Sequence, residues 1–261
     1  MNTDASRPAT VAPSAGDALP AVRVLALLDA SRHSLAALSA AVELAATRPA
    51  ELVALYVEDQ DLLGSAGFPF SREIGAVSGR VRRLSRRELE VGMARQARRV
   101  TDALEAAVAG RTLRHQLRIM RGRVVSEALA LAGPGDLLVL GKAGLSGHWG
   151  VRLGSTSRAL ILDAPCTVII WDERLSPSPG PLRRLAFSDA SSDPPPPVPE
   201  LLSRLFDGGA FLQVADARQL EEQLARADDG ALLLHRAQLA RLAEQDGDLL
   251  ARLPIPIIVV P

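Results

Sequence analysis

Cysteine is nearly absent. Cys166 stands alone in 261 residues, which excludes an intramolecular disulfide framework and a cysteine zinc cluster and fits a reducing compartment. Aromatic residues contribute only 3% against 48% hydrophobic residues in all, so the core must be aliphatic. No apolar run approaches the roughly 18 residues needed to cross a bilayer. Neither charge sign dominates: 30 basic residues balance 30 acidic ones, and no global field draws the chain to nucleic acid or to an anionic membrane. Lysine is as scarce as cysteine, with 29 arginines to one lysine, Lys142. The first 20 residues are small and polar, without a basic start and apolar core, and read as a disordered tail and not a secretion signal. A cytoplasmic protein is the expectation.

What is present is an alternation of short apolar runs and helical patterns. A buried-strand run occurs at Val22–Asp29, and further strands are expected at Glu51–Asp59, 113–122, Asp136–Gly141 and Cys166–Trp171. Helical spacing follows the first of them, is expected over Arg72–Ala109 with Ile74, Val77, Val81 and Leu84 on one face and Val100, Leu104 and Val108 later, interrupted at Gly79 and Gly92, and returns at 123–133 and 155–164. Residues 62–70 read as a loop. Strands separated by helices predict right-handed crossovers and a parallel sheet covered on both faces. After the proline-rich break 173–182, the segment Arg183–Ser191 echoes the first strand with its aspartate and serine. Further echoes of the second, fourth and last strands follow in the same order, with a helix expected at 196–206. The chain therefore reads as an internal duplication with a shortened second copy. The expected organisation is a tail over 1–20, a first α/β domain over 21–172, a linker over 173–182 and a reduced domain over 183–261.

Chemistry points to residues 141–160, where the fourth strand empties into Gly141, Gly144, Gly147, Gly150 and Gly154 and then into Ser155, Thr156 and Ser157. Glycine allows positive φ and close approach of the backbone, and free N–H groups at a helix start favour an anion. An ordinary loop with a serine cap is the competing reading. There is no G-x-x-x-x-G-K-[ST] loop, no G-x-G-x-x-G after the first strand and no G-x-S-x-G elbow, which excludes Walker ATPases, dinucleotide folds and α/β-hydrolases of the usual pattern.

The spacing Gly141-x2-Gly144-x9-Gly154-Ser155 is similar to the G-x2-G-x9-G-[ST] signature of the ATP-binding universal stress proteins, and 21–171 resembles that family in its strand order. The resemblance implies two open parallel-sheet, Rossmann-like α/β sandwich domains, the second reduced. It implies ATP as ligand, with or without Mg2+. Leu27, Val57 and Leu140 would line the adenine slot and Asp29 would lie near the ribose. Gly141, Lys142, Gly144, Gly154, Ser155, Thr156 and Ser157 would hold or flank the phosphates. Asp29 has a second reading as a helix cap. The second half lacks the glycine signature and is expected to bind no nucleotide. Family members pair through their last strands, so Cys166–Trp171 and the closing strand are expected to associate within the chain; a homodimer is the other assembly.

The four histidines, His33, His115, His148 and His235, show no metal spacing, and His148 and Trp149 fall inside the glycine loop. Cys166 reads as a small buried residue. Nine arginines against three glutamates between 72 and 99 form either a solvated face or a surface for an acidic partner or RNA. Two functions remain: an ATP-binding regulatory protein without rapid turnover, with slow hydrolysis or phosphorylation at Ser155 or Thr156 as its limit, and a nucleotide-independent interaction protein on the same fold. An adenylyl-transferring enzyme is disfavoured, since neither S-G-G-x-D-S nor H-x-G-H occurs.

Overall fold

A computed structural model describes residues 22–47, 50–75, 78–142, 153–175, 182–188, 197–214, 216–225 and 230–261. The first half runs β1 (Arg23–Leu28), α1 (Arg32–Ala46), β2 (Glu51–Asp59), α2 (Gln60–Ser65), β3 (Arg72–Ile74), β4 (Val81–Arg83), α3 (Arg86–Val108), β5 (His115–Gly122), α4 (Val124–Leu131), β6 (Leu137–Gly141), α5 (Ser155–Asp163) and β7 (Thr167–Trp171). The second runs β8 (Leu182–Ser188), a 3-10 helix (Glu200–Leu205), β9 (Phe206–Gln213), α6 (Ala217–Leu224), β10 (Ala231–His235), α7 (Arg236–Gln245), α8 (Leu249–Arg252) and β11 (Ile257–Val260).

Nine strands form one sheet in the order β5-β2-β1-β6-β7-β11-β10-β8-β9. Every neighbouring pair is parallel except β7 with β11, where Ile170 faces Ile257, Ile169 faces Ile258 and Val168 faces Val259 in an antiparallel ladder. Read outward from that ladder, β7-β6-β1-β2 on one side has the order of β11-β10-β8-β9 on the other, and β5 has no counterpart. The two halves are thus topological equivalents related by an approximate two-fold axis through the β7–β11 ladder.

Alternation along each strand sends successive side chains to opposite faces. Leu25, Val53, Leu55, Leu138, Leu140, Val168, Ile170, Leu232, Leu234, Ile257 and Val259 share one core with α4, α5 and the second-half helices. Val24, Ala26, Leu28, Leu52, Ala54, Val139, Ile169, Leu233 and Ile258 share the other with α1 and α3. Helix α1 approaches the sheet closely because its inner face is Ala37, Ala40, Ala41 and Ala45, all buried. Its start is fixed by Ser31, whose hydroxyl accepts from the Ser34 N–H at 3.2 Å.

Three expectations change. Residues 72–74 and 81–83 pair as an antiparallel hairpin and not as the start of a helix: Ile74 and Val81 are cross-strand partners, Gly79 has φ 63, and Val77 lies outside the described residues. Helix α3 begins only at Arg86 and runs through Gly92 without a break. Within 62–70, α2 is helical, capped by the Asp59 carboxylate on the Asp61 N–H at 2.9 Å. In place of the helix expected at 196–206, the described residues 197–206 hold a 3-10 turn, Glu200–Leu205, before β9.

Removing side-chain volume at the inter-half ladder should weaken the whole molecule. Ile258→Ala, at a position 1% exposed, is expected to cost about 2–5 kcal/mol, with both halves unfolding in one calorimetric transition. Separate transitions would contradict a common core.

Candidate functional site

The carboxyl ends of β1, β2 and β6 open into a cleft of about 360 Å³ bounded by the starts of α1, α4 and α5. Open α/β sheets bind ligands at such a position. Nine of the residues singled out in the sequence line it together: Leu27, Asp29, Val57, Leu140, Gly141, Gly154, Ser155, Thr156 and Ser157. Leu28, Ser31, His33, Ser34 and Val124 line it as well and were not foreseen. Ser31 was detectable as the cap of α1; His33 carried no sequence signal of its own.

The two described signature glycines differ in kind. A Cβ on Gly141 would meet the His33 carbonyl carbon and oxygen at 2.5 Å and the Ser34 nitrogen at 2.7 Å, so the end of β6 lies on the first turn of α1 with no room for a side chain. A Cβ on Gly154 would meet no atom within 4 Å. Gly154 is the N-cap of α5, with ordinary extended backbone at φ −60 and ψ 152, and no side-chain oxygen caps the helix. Ser155, Thr156 and Ser157 therefore occupy the first helical positions and do not cap it. The N–H groups of this first turn, with the helix dipole behind them, face a cleft wall made of glycine and hydroxyls. Gly144, like Gly147, His148, Trp149 and Gly150, lies outside the described residues.

In the cleft, Asp29 accepts from the Ser31 N–H at 2.9 Å and so holds the turn before α1, but the cap of that helix is Ser31 and not Asp29. Burial pushes this carboxyl upward, but hydrogen bonds from Ser31 and Ser34 outweigh it and hold the group below the ordinary value, ionised. Between them Ala30 has φ 61, a left-handed conformation that costs a non-glycine residue about 1 kcal/mol. His33 Nδ1 lies 3.3 Å from Glu173 Oε2, and the same carboxylate oxygen lies 3.0 Å from Arg32 Nε.

Lys142 corrects the sequence expectation. Its backbone N–H extends the sheet by donating to the Trp171 carbonyl at 2.8 Å, so alternation turns its side chain away from the wall formed at Gly141. The ammonium is buried, donates to the Leu253 carbonyl and lies 3.6 Å from Asp172. It ties the first half to the second and does not line the cleft. Burial lowers its pKa to about 8, with Asp172 opposing the drop. Asp172 is itself pushed up by burial and pulled below its ordinary value by Arg174, which donates to it at 2.7 and 2.9 Å. A comparable tie runs the other way: Arg236, which follows β10 as Lys142 follows β6, donates to the Ile161 and Cys166 carbonyls at 3.0 and 3.2 Å.

A larger hollow of about 730 Å³ lies between α2 and α4. Size alone would favour it, but its Arg121 and Arg123 are engaged by Glu58 at 2.7 Å and Asp61 at 3.3 Å, and it holds none of the glycine-loop residues. Among the described residues no group of three or more histidine, cysteine, aspartate or glutamate side chains is placed to hold a metal, and no helix is long and apolar enough to cross a membrane.

Residues 22–171, from β1 to β7, match the universal stress protein family model. Among solved structures, the universal stress protein UspA from Lactobacillus plantarum is 26% identical, covering 57% of this chain and 96% of that one at a TM-score of 0.42. A universal stress protein from Archaeoglobus fulgidus DSM 4304 is 13% identical but covers 91% of this chain and 97% of its own at a TM-score of 0.59, so the shared fold spans both halves of the sheet. A universal stress protein in complex with cAMP is 23% identical over 59% of this chain and 98% of that one, at a TM-score of 0.39. No curated protein matches the chain.

The buried lysine makes a signed prediction. Its pKa is about 8 in the fold against an ordinary 10.5, so between these values the unfolded chain binds the extra proton and stability rises with pH. Cys166, raised by burial to about 11 from 9.0, acts in the opposite direction above pH 9, which leaves pH 8–9 as the clean window. Chemical denaturation should show stability rising across that window in the native chain and a flatter profile in Lys142→Met. Equal slopes would contradict the burial of the ammonium.

Proposed function

The chain belongs to the universal stress protein family, and we propose that its first domain, residues 21–172, binds ATP, while the reduced second domain, 183–261, serves as a built-in partner. The observation that carries the proposal is the convergence of an apolar slot, an ionised aspartate and an uncapped, glycine-flanked helix start on one cleft at the carboxyl ends of β1, β2 and β6. In this reading Leu27, Val57 and Leu140 receive the adenine and Asp29 lies beside the ribose. The amides at Gly141, Gly144 and Gly154 take the triphosphate, helped by the hydroxyls of Ser155, Thr156 and Ser157. Mg2+ enters with the nucleotide and is not held by a preformed carboxylate cluster. The second domain, which lacks the glycine loop, binds none, and residues 173–182 link the two.

The equivalent strand orders of the halves support a tandem origin with a shortened second copy. The β7–β11 ladder and the crossed ties from Lys142 and Arg236 support intrachain pairing in place of a homodimer. In this reading the protein is a cytoplasmic regulator that binds the nucleotide without rapid turnover. Besides Asp29, the only titratable side chain lining the described cleft is His33, and it is already beside Glu173.

Gly154 offers a clean test because a side chain there meets open space in the protein and no forbidden φ. Isothermal titration of the full chain with ATP, AMP and cAMP should give a saturable ATP signal. Gly154→Val should weaken it at least about tenfold, or about 1.4 kcal/mol, with an unchanged melting temperature. No heat with any nucleotide, or full affinity in the variant, would overturn the proposal and leave a nucleotide-independent interaction protein.

A further inference from the structure

The net charge of zero conceals a local imbalance. Nine of the 29 arginines lie between residues 72 and 99, with three glutamates, and this segment carries the hairpin β3–β4 and the first half of α3. The hairpin is a separate two-stranded sheet, not joined to the nine-stranded one. In it Arg72 stands directly opposite Arg83, Glu73 opposite Arg82 and Ile74 opposite Val81. Because side chains alternate, Arg72, Ile74, Val81 and Arg83 share one face. That face is open to solvent: Ile74 is 70% and Val81 55% exposed. Next to it in the chain, two of the protein's five phenylalanines, Phe68 at 54% and Phe70 at 75% exposure, stack with ring centroids 5.6 Å apart.

Two features of this surface are unfavourable in the isolated molecule. Four large apolar side chains are presented to water in one short stretch, although only nine large hydrophobic residues are exposed among those described. Two guanidinium groups also lie on directly opposed cross-strand positions, where like charges repel. Glu73 and Glu88 engage Arg82, and Glu90 engages Arg86 at 3.1 Å. Among the described residues neither Arg72 nor Arg83 makes an ion pair. An anionic, partly apolar partner would relieve both costs at once.

We propose that the hairpin face of Arg72, Ile74, Val81 and Arg83, with the exposed Phe68–Phe70 pair that precedes it in the chain, docks peripherally on an anionic lipid bilayer. The apolar tips enter the headgroup boundary, and the arginines on the same face meet the lipid phosphates. The chemistry favours a bilayer over RNA: Ile74 and Val81 offer no ring for base stacking, and the two phenylalanine rings already lie against each other with an interplanar angle of 13°. It also favours a bilayer over an acidic protein, because the exposed apolar side chains of Ile74 and Val81 stand beside the arginines on one strand face and would stay in water against a purely acidic partner. The attachment is superficial and involves no spanning segment.

Co-sedimentation of the full chain with vesicles tests this. Vesicles of phosphatidylcholine with about a quarter phosphatidylglycerol should retain the protein at low salt, and pure phosphatidylcholine should not. Arg72→Glu with Arg83→Glu should reduce retention about 25-fold or more, at roughly fivefold for each basic charge lost. Phe68→Ser with Phe70→Ser should make the residual binding fully salt-sensitive. All four positions are exposed, so unchanged circular dichroism is the expected control. No retention on anionic vesicles, retention unchanged in the arginine variant, or capture of single-stranded RNA or polyglutamate with vesicles ignored would each overturn the proposal.

Discussion

The architecture depends on a three-pair antiparallel ladder between β7 and β11. All other neighbours in the sheet are parallel, and a parallel sheet needs both faces covered and its edges protected. Without the ladder, two rows of buried isoleucine and valine, Val168 to Ile170 and Ile257 to Val259, would each form an exposed apolar edge. With it, each cross-strand pair feeds one of the two cores, and both cores run through both halves of the molecule. The ties from Lys142 and Arg236 reinforce the junction, each starting just after the next-to-last strand of its own half and ending near the approach to the last strand of the other half.

The cleft follows from a second close contact. Gly141 lets the end of β6 rest on the backbone of His33 and Ser34, which brings the start of α1 against the wall of the site. Gly154 leaves space where Gly141 fills it. The two described glycines of the signature therefore differ: the fold needs the first and has room for a side chain at the second. That division explains why a glycine-spaced motif can be read from sequence without telling which glycine does what.

Much of this was legible in the chain. Four of the five strands that the first half gives to the large sheet are short, largely apolar runs, while β5 mixes apolar with polar residues; the structure places all five within a residue or two of their expected limits. The cleft residues were legible because they sit at strand ends in a spacing that resembles a known signature. The hairpin at 72–83 was not, because Ile74 and Val81 are seven residues apart. That separation matches two helical turns as well as it matches two strands folded back around Gly75 and Gly79. Lys142 misled for a related reason. Its position in the loop was right, but strand pairing continues through its N–H to the Trp171 carbonyl, and alternation sends the side chain to the opposite face. The contribution of His33 depends on tertiary contact alone, with Glu173 more than a hundred residues away, and no local pattern encodes it.

The central claim is that the front cleft, and not its counterpart in the second half, is the nucleotide site. Hydrogen–deuterium exchange of the full chain with and without ATP addresses it amide by amide. The account predicts slowed exchange at 27–34, 141–142 and 154–157, with the amides of β8, β9 and β10 unchanged. Unaltered exchange at the front cleft, or protection confined to the second half, would contradict it.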